Sequence, residues 1–295
     1  MNLWRFFSLF LLVLTLTACA QVQSAPSVPA PQAPPVNQDA SLGLAPAELG
    51  KLTAEMQAIH RQGTLKVAMY ARDRYPFFYL DETGTLTGSD VMLAQDIADK
   101  FGVKVSFLRT AGNFDELIDQ VASGEADFAL SKLSMTLQRA QKVFFSSPYL
   151  TLRQSLLVNR LQLAKLGKQG EHTLQLIQAQ GDKIGAISGS SYVQYARELF
   201  PKAQIIQFNT GPELMEAVSK GEVLAVLYDE FELSMHLKHN PGSSLDLQFI
   251  ALNDKIDPLA IAVSAKHQHL LAWMNVYLEL NRPFIHELLQ HYEIE

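Results

Sequence analysis

Residues Gly124–Leu150 read GEADFALSKLSMTLQRAQKVFFSSPYL, and three features follow one another there. Ala126–Leu130 is a short apolar run that fits one buried strand. Hydroxyls come next, at Ser131, Ser134 and Thr136, with Lys132 among them. Arg139 then stands where a short helix can carry it, and Phe144-Phe145-Ser146-Ser147-Pro148-Tyr149 closes the unit. In open α/β sheets, ligands lie beyond the carboxyl ends of the strands. A guanidinium offers a planar fork that matches a carboxylate in bidentate fashion. A lone arginine on a helix is usually a solvated surface group. One placed after a buried strand and a row of hydroxyls is a candidate anion reader.

The flank of this stretch occurs twice. Glu116-Leu117-Ile118-Asp119-Gln120-Val121, followed by Gly124-Glu125, parallels Glu213-Leu214-Met215-Glu216-Ala217-Val218, followed by Gly221-Glu222. Each copy runs into an apolar strand, Ala126–Leu130 or Val223–Leu227, and then into polar residues. These are Ser131-Lys132 in the first copy and Tyr228-Asp229-Glu230 in the second. Asn113 is placed to cap the first helix, Phe114–Ser123, and Gly124 to stop it. The simplest account is two α/β lobes of like architecture whose strand ends face one cleft.

Other elements fit around this pair. Ala47–Arg61 has Leu49, Leu52, Met56 and Ile59 on one helical stripe. Leu65–Met69 reads as a strand, and Gly88-Ser89-Asp90-Val91 opens a helix that Gly102 ends. Gln154–Val158 reads as the strand crossing to the second lobe, and Lys183–Ile187 as the start of its sheet. Ser188–Tyr192 turns into a helix running through Phe200. Pro258–Val263 returns as a strand, and Leu270–Leu280 as a helix on the first lobe. The expected division is a leading helix at 47–62, a first lobe of 63–152 plus 256–295, and a second lobe of 153–255.

The chain has 295 residues, 48% of them hydrophobic, and a formal charge of −6. That length is ample for a large core and suggests two domains. The acidic balance and the lack of any basic run argue against a nucleic-acid partner. The eight histidines are scattered. His236/His239 and His267/His269 have no acidic or thiol partner that completes a metal site, so neither a metal nor a cofactor is expected. Cys19 is the single cysteine, so no intrachain disulfide can form.

Met1–Arg5 and the apolar run Phe6–Ala18 read as a signal peptide, residues 1–18. The run ends in Leu16-Thr17-Ala18-Cys19, which looks like a bacterial lipobox with Cys19 as the lipidated residue. Cleavage there removes only Arg5 among charged residues and shifts the charge from −6 to −7. Several acyl chains give a firm anchor. Residues 19–46 follow as the lipidated cysteine and a proline-rich tether, with prolines at 26, 29, 31, 34, 35 and 46. At about 3.1 Å per residue such a segment reaches up to roughly 80 Å.

The central stretch resembles the extracellular solute-binding proteins of the amino-acid-binding family, family 3. The resemblance rests on S-x-x-S-x-T-x-x-R from Ser131 to Arg139, followed by Val143-Phe144-Phe145-Ser146-Ser147-Pro148-Tyr149. Both halves stand at the family's spacing, and the likeness extends with lower similarity from about Gly63 to the C-terminus. Pro76-Phe77-Phe78-Tyr79 and Asp81-Glu82-Thr83-Gly84 add to it. The resemblance implies a type II periplasmic-binding-protein-like fold, two Rossmann-like lobes joined by two crossing strands.

It also implies a binding site. Arg139 matches the position that binds a ligand carboxylate. Ser191, with Ser190 before it, matches the second lobe's hydroxyl and helix-terminal amides. Asp229 matches the acid that pairs with an ammonium. Ser131 and Ser134 match contact positions, and Phe114 matches an aromatic that packs on the ligand side chain. Lys132 departs from the family, where small residues are common, and facing the cleft it adds positive charge there. Arg72-Asp73-Arg74-Tyr75 departs too, with Tyr75 or Phe77 as a candidate pocket wall and Arg74 as a candidate entrant.

The leading expectation is therefore a monomeric, membrane-anchored receptor on the periplasmic side of the envelope, at the outer membrane in a Gram-negative cell. It would bind an amino acid or similar small polar solute for an ABC permease, or feed a sensor. The alternatives are an enzyme on the same fold, of the cyclohexadienyl dehydratase type, and an envelope interaction lipoprotein with a modified cleft. The residues present no nucleophile–base pair and no catalytic domain after the last helix, so no catalytic residue is assigned.

Overall fold

The computed structural model describes residues 46–166, 173–179 and 181–295. The signal peptide, Cys19 and the tether up to residue 45 lie outside the described residues. The strands are, in chain order, β1 (Thr64–Tyr70), β2 (Tyr79–Leu80), β3 (Leu86–Thr87), β4 (Lys104–Ala111), β5 (Phe128–Ala129), β6 (Val143–Phe145), β7 (Leu150–Asn159), β8 (Lys183–Ile187), β9 (Gln204–Phe208), β10 (Ala225–Asp229), β11 (Leu247–Leu259) and β12 (Ala262–Ser264).

They form two five-stranded sheets, ordered β4-β1-β5-β12-β6 and β11-β7-β10-β8-β9, with β2 and β3 as a separate hairpin. In the first sheet β1 runs parallel to β4 and β5, and β12 is antiparallel to β5 and β6. In the second, β8 is parallel to β9 and β10, and β7 is antiparallel to β10 and β11. Each sheet has its own hydrophobic core. One gathers around Val67, Phe77, Phe128 and Val263, the other around Leu157, Ile184, Val226 and Leu227.

The duplicated unit therefore falls into two sheets, with β5 in one and β10 in the other. The strands are shorter or shifted relative to their apolar runs. β5 covers only Phe128–Ala129 within Ala126–Leu130, and just before it the Asp127 carboxylate accepts the Lys66 N–H at 2.7 Å. β10 starts two residues later than expected and ends on Asp229 itself. The helices before them end as their sequences dictate. Asn113 accepts from the Asp115 and Glu116 N–H groups, and Gly124 adopts φ 86° after the helix. In the second copy Thr210 and Glu213 form a reciprocal capping box, and Gly221 closes the helix at φ 71°.

The leading helix departs from the single run expected. It breaks into Pro46–Leu49 and Ala54–Gln62, and Thr53 restarts it as an N-cap. Glu55 in this segment accepts from the His269 and Leu270 N–H groups, so a distant acid caps the helix Gln268–Leu280. The expected returning strand 258–263 is also divided. Pro258-Leu259 finishes β11, and β12 begins at Ala262.

β7 and β11 are the two strands that cross between the lobes. They pair from Asn159↔Leu247 to Leu150↔Leu259, with a register shift between Ala251 and Ile256. Their far ends join the first lobe, where the Tyr149 N–H donates to the Leu259 carbonyl and Ser134 bridges to Leu259. No helix among the described residues is long and apolar enough to cross a membrane.

Candidate functional site

The parallel strands of both sheets point their carboxyl ends at each other, and the residues just past those ends build the site. After β5 the chain turns through Lys132, a non-glycine residue at φ 48°. That left-handed backbone disfavours a residue with a Cβ. Here Asp90 holds it, taking the Lys132 N–H at 2.5 Å and the Tyr149 O–H at 3.0 Å. Asp90 is fully buried, and burial pushes its pKa up from 3.8 to about 7, against the opposing pull of those two donors. Asp90 sits at the start of the helix Ser89–Phe101. Gly88 permits that entry, since a Cβ there would lie 2.4 Å from the Phe77 carbonyl oxygen at φ 120°.

The turn sends the Lys132 side chain across the cleft. Its ammonium donates to Asp229 Oδ2 at 2.8 Å and to Glu232 Oε1 at 2.9 Å. It also lies 4.8 Å from the centroid of the Phe77 ring, 5.5 Å from Tyr228 and 5.6 Å from Phe231. Burial draws the Lys132 pKa down, but the charges of Asp229 and Glu232 outweigh it and the net shift is upward. Asp229 is buried, and burial raises its pKa while Lys132 counteracts part of that rise. Its other oxygen caps the helix Glu230–His239 by accepting from the Glu232 N–H. Asp229 thus serves as both helix cap and cleft acid.

Arg139 opens a short 3₁₀ turn and is buried, at 6% exposure. Its guanidinium donates to Asp115 Oδ1 at 2.9 and 3.1 Å, to the Ser134 carbonyl at 3.1 Å, and across the cleft to the Gly189 carbonyl at 3.4 Å. Ser191 starts the helix Ser191–Leu199 and donates to Ser134 Oγ at 2.8 Å, also across the cleft. Ser134 in turn donates its hydroxyl hydrogen bond to Asp257 Oδ2 at 3.0 Å. Asp257, near the end of β11, takes the Tyr192 hydroxyl on Oδ2 at 2.7 Å and the Tyr195 hydroxyl on Oδ1 at 3.3 Å. Burial lifts its pKa to about 6, although the hydroxyls and Lys132 favour the charged form.

These groups close around a small interlobe cavity of about 20 Å³. Of the residues singled out from sequence, Phe114, Lys132, Ser134, Arg139, Ser190, Ser191 and Asp229 line it. Ser131 and Tyr75 do not. Ser131 is wholly buried behind the wall, where its Oγ accepts the Tyr70 N–H. Tyr75 is 54% exposed and packs on Tyr79, facing an outer groove. From that loop Arg74 enters instead. Its guanidinium lies 5.6 Å from the Tyr70 ring centroid, and its buried Nε finds no hydrogen-bond acceptor among the described residues. Ser190 turns its hydroxyl back to the Ile187 carbonyl.

Sequence reading did not assign Asp257, Tyr192 and Tyr228 to the wall. The one visible signal for Asp257 is an acid set directly before the apolar run Pro258–Val263.

Comparisons with known proteins agree on the kind of chain this is. A family profile for bacterial extracellular solute-binding proteins, family 3, matches residues 65–282. Cyclohexadienyl dehydratase of Pseudomonas aeruginosa is 26% identical over 67% of this chain and 71% of its own. A probable histidine-binding protein of Neisseria gonorrhoeae is 26% identical over 69% and 73%. Among solved structures, an ancestral amino acid-binding protein, a precursor of cyclohexadienyl dehydratase, superposes with a TM-score of 0.66 at 28% identity. It covers 80% of this chain and 98% of that one. An ancestral arginine-binding protein bound to arginine gives 0.65 at 28% identity, over 78% and 98%.

Proposed function

Because the chain belongs to the bacterial extracellular solute-binding proteins, family 3, we propose that it is an extracytoplasmic receptor for an amino acid or similar small polar solute, serving ABC-type import. The observation that carries this reading is the convergence of two sheets' strand ends on one buried, charged cavity. Arg139 is the reader of the solute's carboxylate. Its partner Asp115 is 62% exposed at the side chain, and Gly189 belongs to the opposite lobe, so parting of the lobes frees the guanidinium's outer edge. Ser134 and Ser191 supply hydroxyls beside it. Closure then follows the hinge motion of two-domain binding proteins. The receptor is a lipoprotein held through Cys19 on a proline-rich tether, at the outer membrane in a Gram-negative cell.

Titration calorimetry of Arg139→Ala and Arg139→Lys tests the assignment. Loss of one partner of a desolvated ion pair costs about 2–5 kcal/mol, roughly 30-fold or more in affinity. Arg139→Ala shows that loss, and Arg139→Lys recovers only part because an ammonium lacks the fork. Unchanged affinity in a folded Arg139→Ala protein places the carboxylate elsewhere.

A second reading, an enzyme, has one observation behind it. Asp257, with its pKa near 6 and three hydroxyls around it, is a cleft acid able to exchange a proton near neutral pH. Recovery of the solute intact after prolonged incubation favours the receptor, and its conversion the enzyme.

A further inference from the structure

The cleft contains a complete ammonium site, and the chain fills it with its own residue. Two carboxylates, Asp229 and Glu232, stand 2.8 and 2.9 Å from the Lys132 ammonium. Three rings, Phe77, Tyr228 and Phe231, lie within 5.6 Å of it. Carboxylates with surrounding aromatic rings are what a desolvated ammonium requires. The backbone makes the arrangement deliberate. Lys132 holds a left-handed conformation, and Asp90 fastens its N–H, so the side chain is launched toward Asp229 from a fixed point.

Among the described residues, the other acids near the cavity are already engaged. Asp257 already accepts three hydroxyls, and Asp115 is engaged by Arg139. The open hydrogen-bonding position in the wall has the opposite polarity: the buried Nε of Arg74 has no acceptor among the described residues, while the charges of Glu232 and Asp229 favour the cationic guanidinium. A buried donor without an acceptor is costly, and a solute bearing oxygens supplies one.

We propose that Lys132 is a built-in counter-ion occupying the cleft's ammonium position, so that this receptor takes small carboxylic acids with no α-ammonium, of the 2-oxo or 2-hydroxy acid class, whose oxygens also meet Arg74. The proposal rests on the cleft being the solute site. It narrows the solute from amino acids to their deaminated counterparts. A free α-amino acid entering this cavity brings a second ammonium beside Lys132 and finds no unpaired carboxylate. That is a buried charge without compensation.

The test uses matched pairs: pyruvate and lactate against alanine, 2-oxoglutarate and 2-hydroxyglutarate against glutamate, and the 2-oxo acids of the branched and aromatic amino acids against their parents. Each is titrated calorimetrically into wild type and into Lys132→Gly, glycine being the residue that accepts the φ of this position without strain. The expected result is that wild type binds at least one oxo or hydroxy acid at least roughly 30-fold more tightly than its amino acid. Lys132→Gly inverts the preference, because the vacated carboxylates now take the amino acid's ammonium. Where Lys132→Gly does not fold, the wild-type preference alone decides.

Wild-type binding of an α-amino acid as tight as or tighter than its deaminated partner overturns the Lys132 proposal and leaves the receptor reading standing. Binding of neither class by wild type or variant overturns both.

Discussion

Lys132 is the residue on which the cleft's charge balance turns. It answers two acids at once, so the two ways of breaking the cluster are unequal. Asp229→Asn leaves the ammonium with Glu232, whereas Lys132→Met leaves both Asp229 and Glu232 without their cation. Unpairing a buried ion pair typically costs about 3–5 kcal/mol. Urea denaturation is expected to place Lys132→Met toward the upper end of that range and Asp229→Asn toward the lower. The double variant should recover only part of the loss, because Glu232 still lacks the ammonium, and strictly additive losses would rule out direct coupling. Asp90 offers a separate test. Its pKa is raised from 3.8 to about 7 in the fold, so the folded chain binds the extra proton between those values. Its contribution is fully present below pH 4 and declines as pH rises through 7. A shift of that size is worth roughly 4 kcal/mol. Wild type is expected to lose about that much relative to Asp90→Asn between pH 4 and pH 8, and parallel pH profiles would contradict the assignment. Much of this was readable beforehand, because Arg139, Ser191 and Asp229 carry family spacing. Arg74 was legible only as a candidate, because the loop that carries it leaves no fixed pattern, and Asp257 was not, because what brings it to the cavity is the strand crossing.

Among the elements, the helices were the most legible and the strands the least. Asn113, Gly124 and Gly221 fix helix ends by chemistry that acts within a few residues. Strand limits depend on partners far along the chain, which is why β5 shrinks to two residues and β10 slides onto Asp229. The turn between β8 and the helix Ser191–Leu199 contains Gly189 at φ 66°, and a Cβ there would stand 2.7 Å from the Asn113 Cβ. Gly189 is on one lobe and Asn113 on the other, so the two turns meet backbone to side chain across the cleft. Gly189→Ala is expected to wedge the lobes apart and to add about 1 kcal/mol of backbone strain. Small-angle scattering should show the variant failing to contract with solute as wild type does, with affinity reduced at least several-fold. Equal contraction in both proteins would show that this turn does not limit closure.

For the whole molecule, two lobes and their shared cleft could be argued from one duplicated unit of helix, glycine and strand. The placement of Lys132 against Asp229 could not, since it joins residues 97 apart in the chain. The proposed lipid anchor is tested on the full-length chain. Cys19→Ser is expected to leave the membrane fraction or to retain its signal peptide, as followed by fractionation and mass spectrometry, and processing and fractionation like wild type would dismiss the lipid anchor. One feature also sets the tempo of the receptor. The lobes are joined across the cleft by Lys132 to Asp229, Ser191 to Ser134, Arg139 to Gly189 and, further out, Arg72 to Asn209. A solute cannot enter until these part together, and the first of them separates two buried charges. Arrival is then governed by how often the molecule opens, and adding more solute cannot hasten that step. The binding rate is expected to climb with concentration only up to the opening frequency and to level off there, a metered gate with its ceiling set by the salt bridge, and a stopped-flow rate that rises without limit would contradict this.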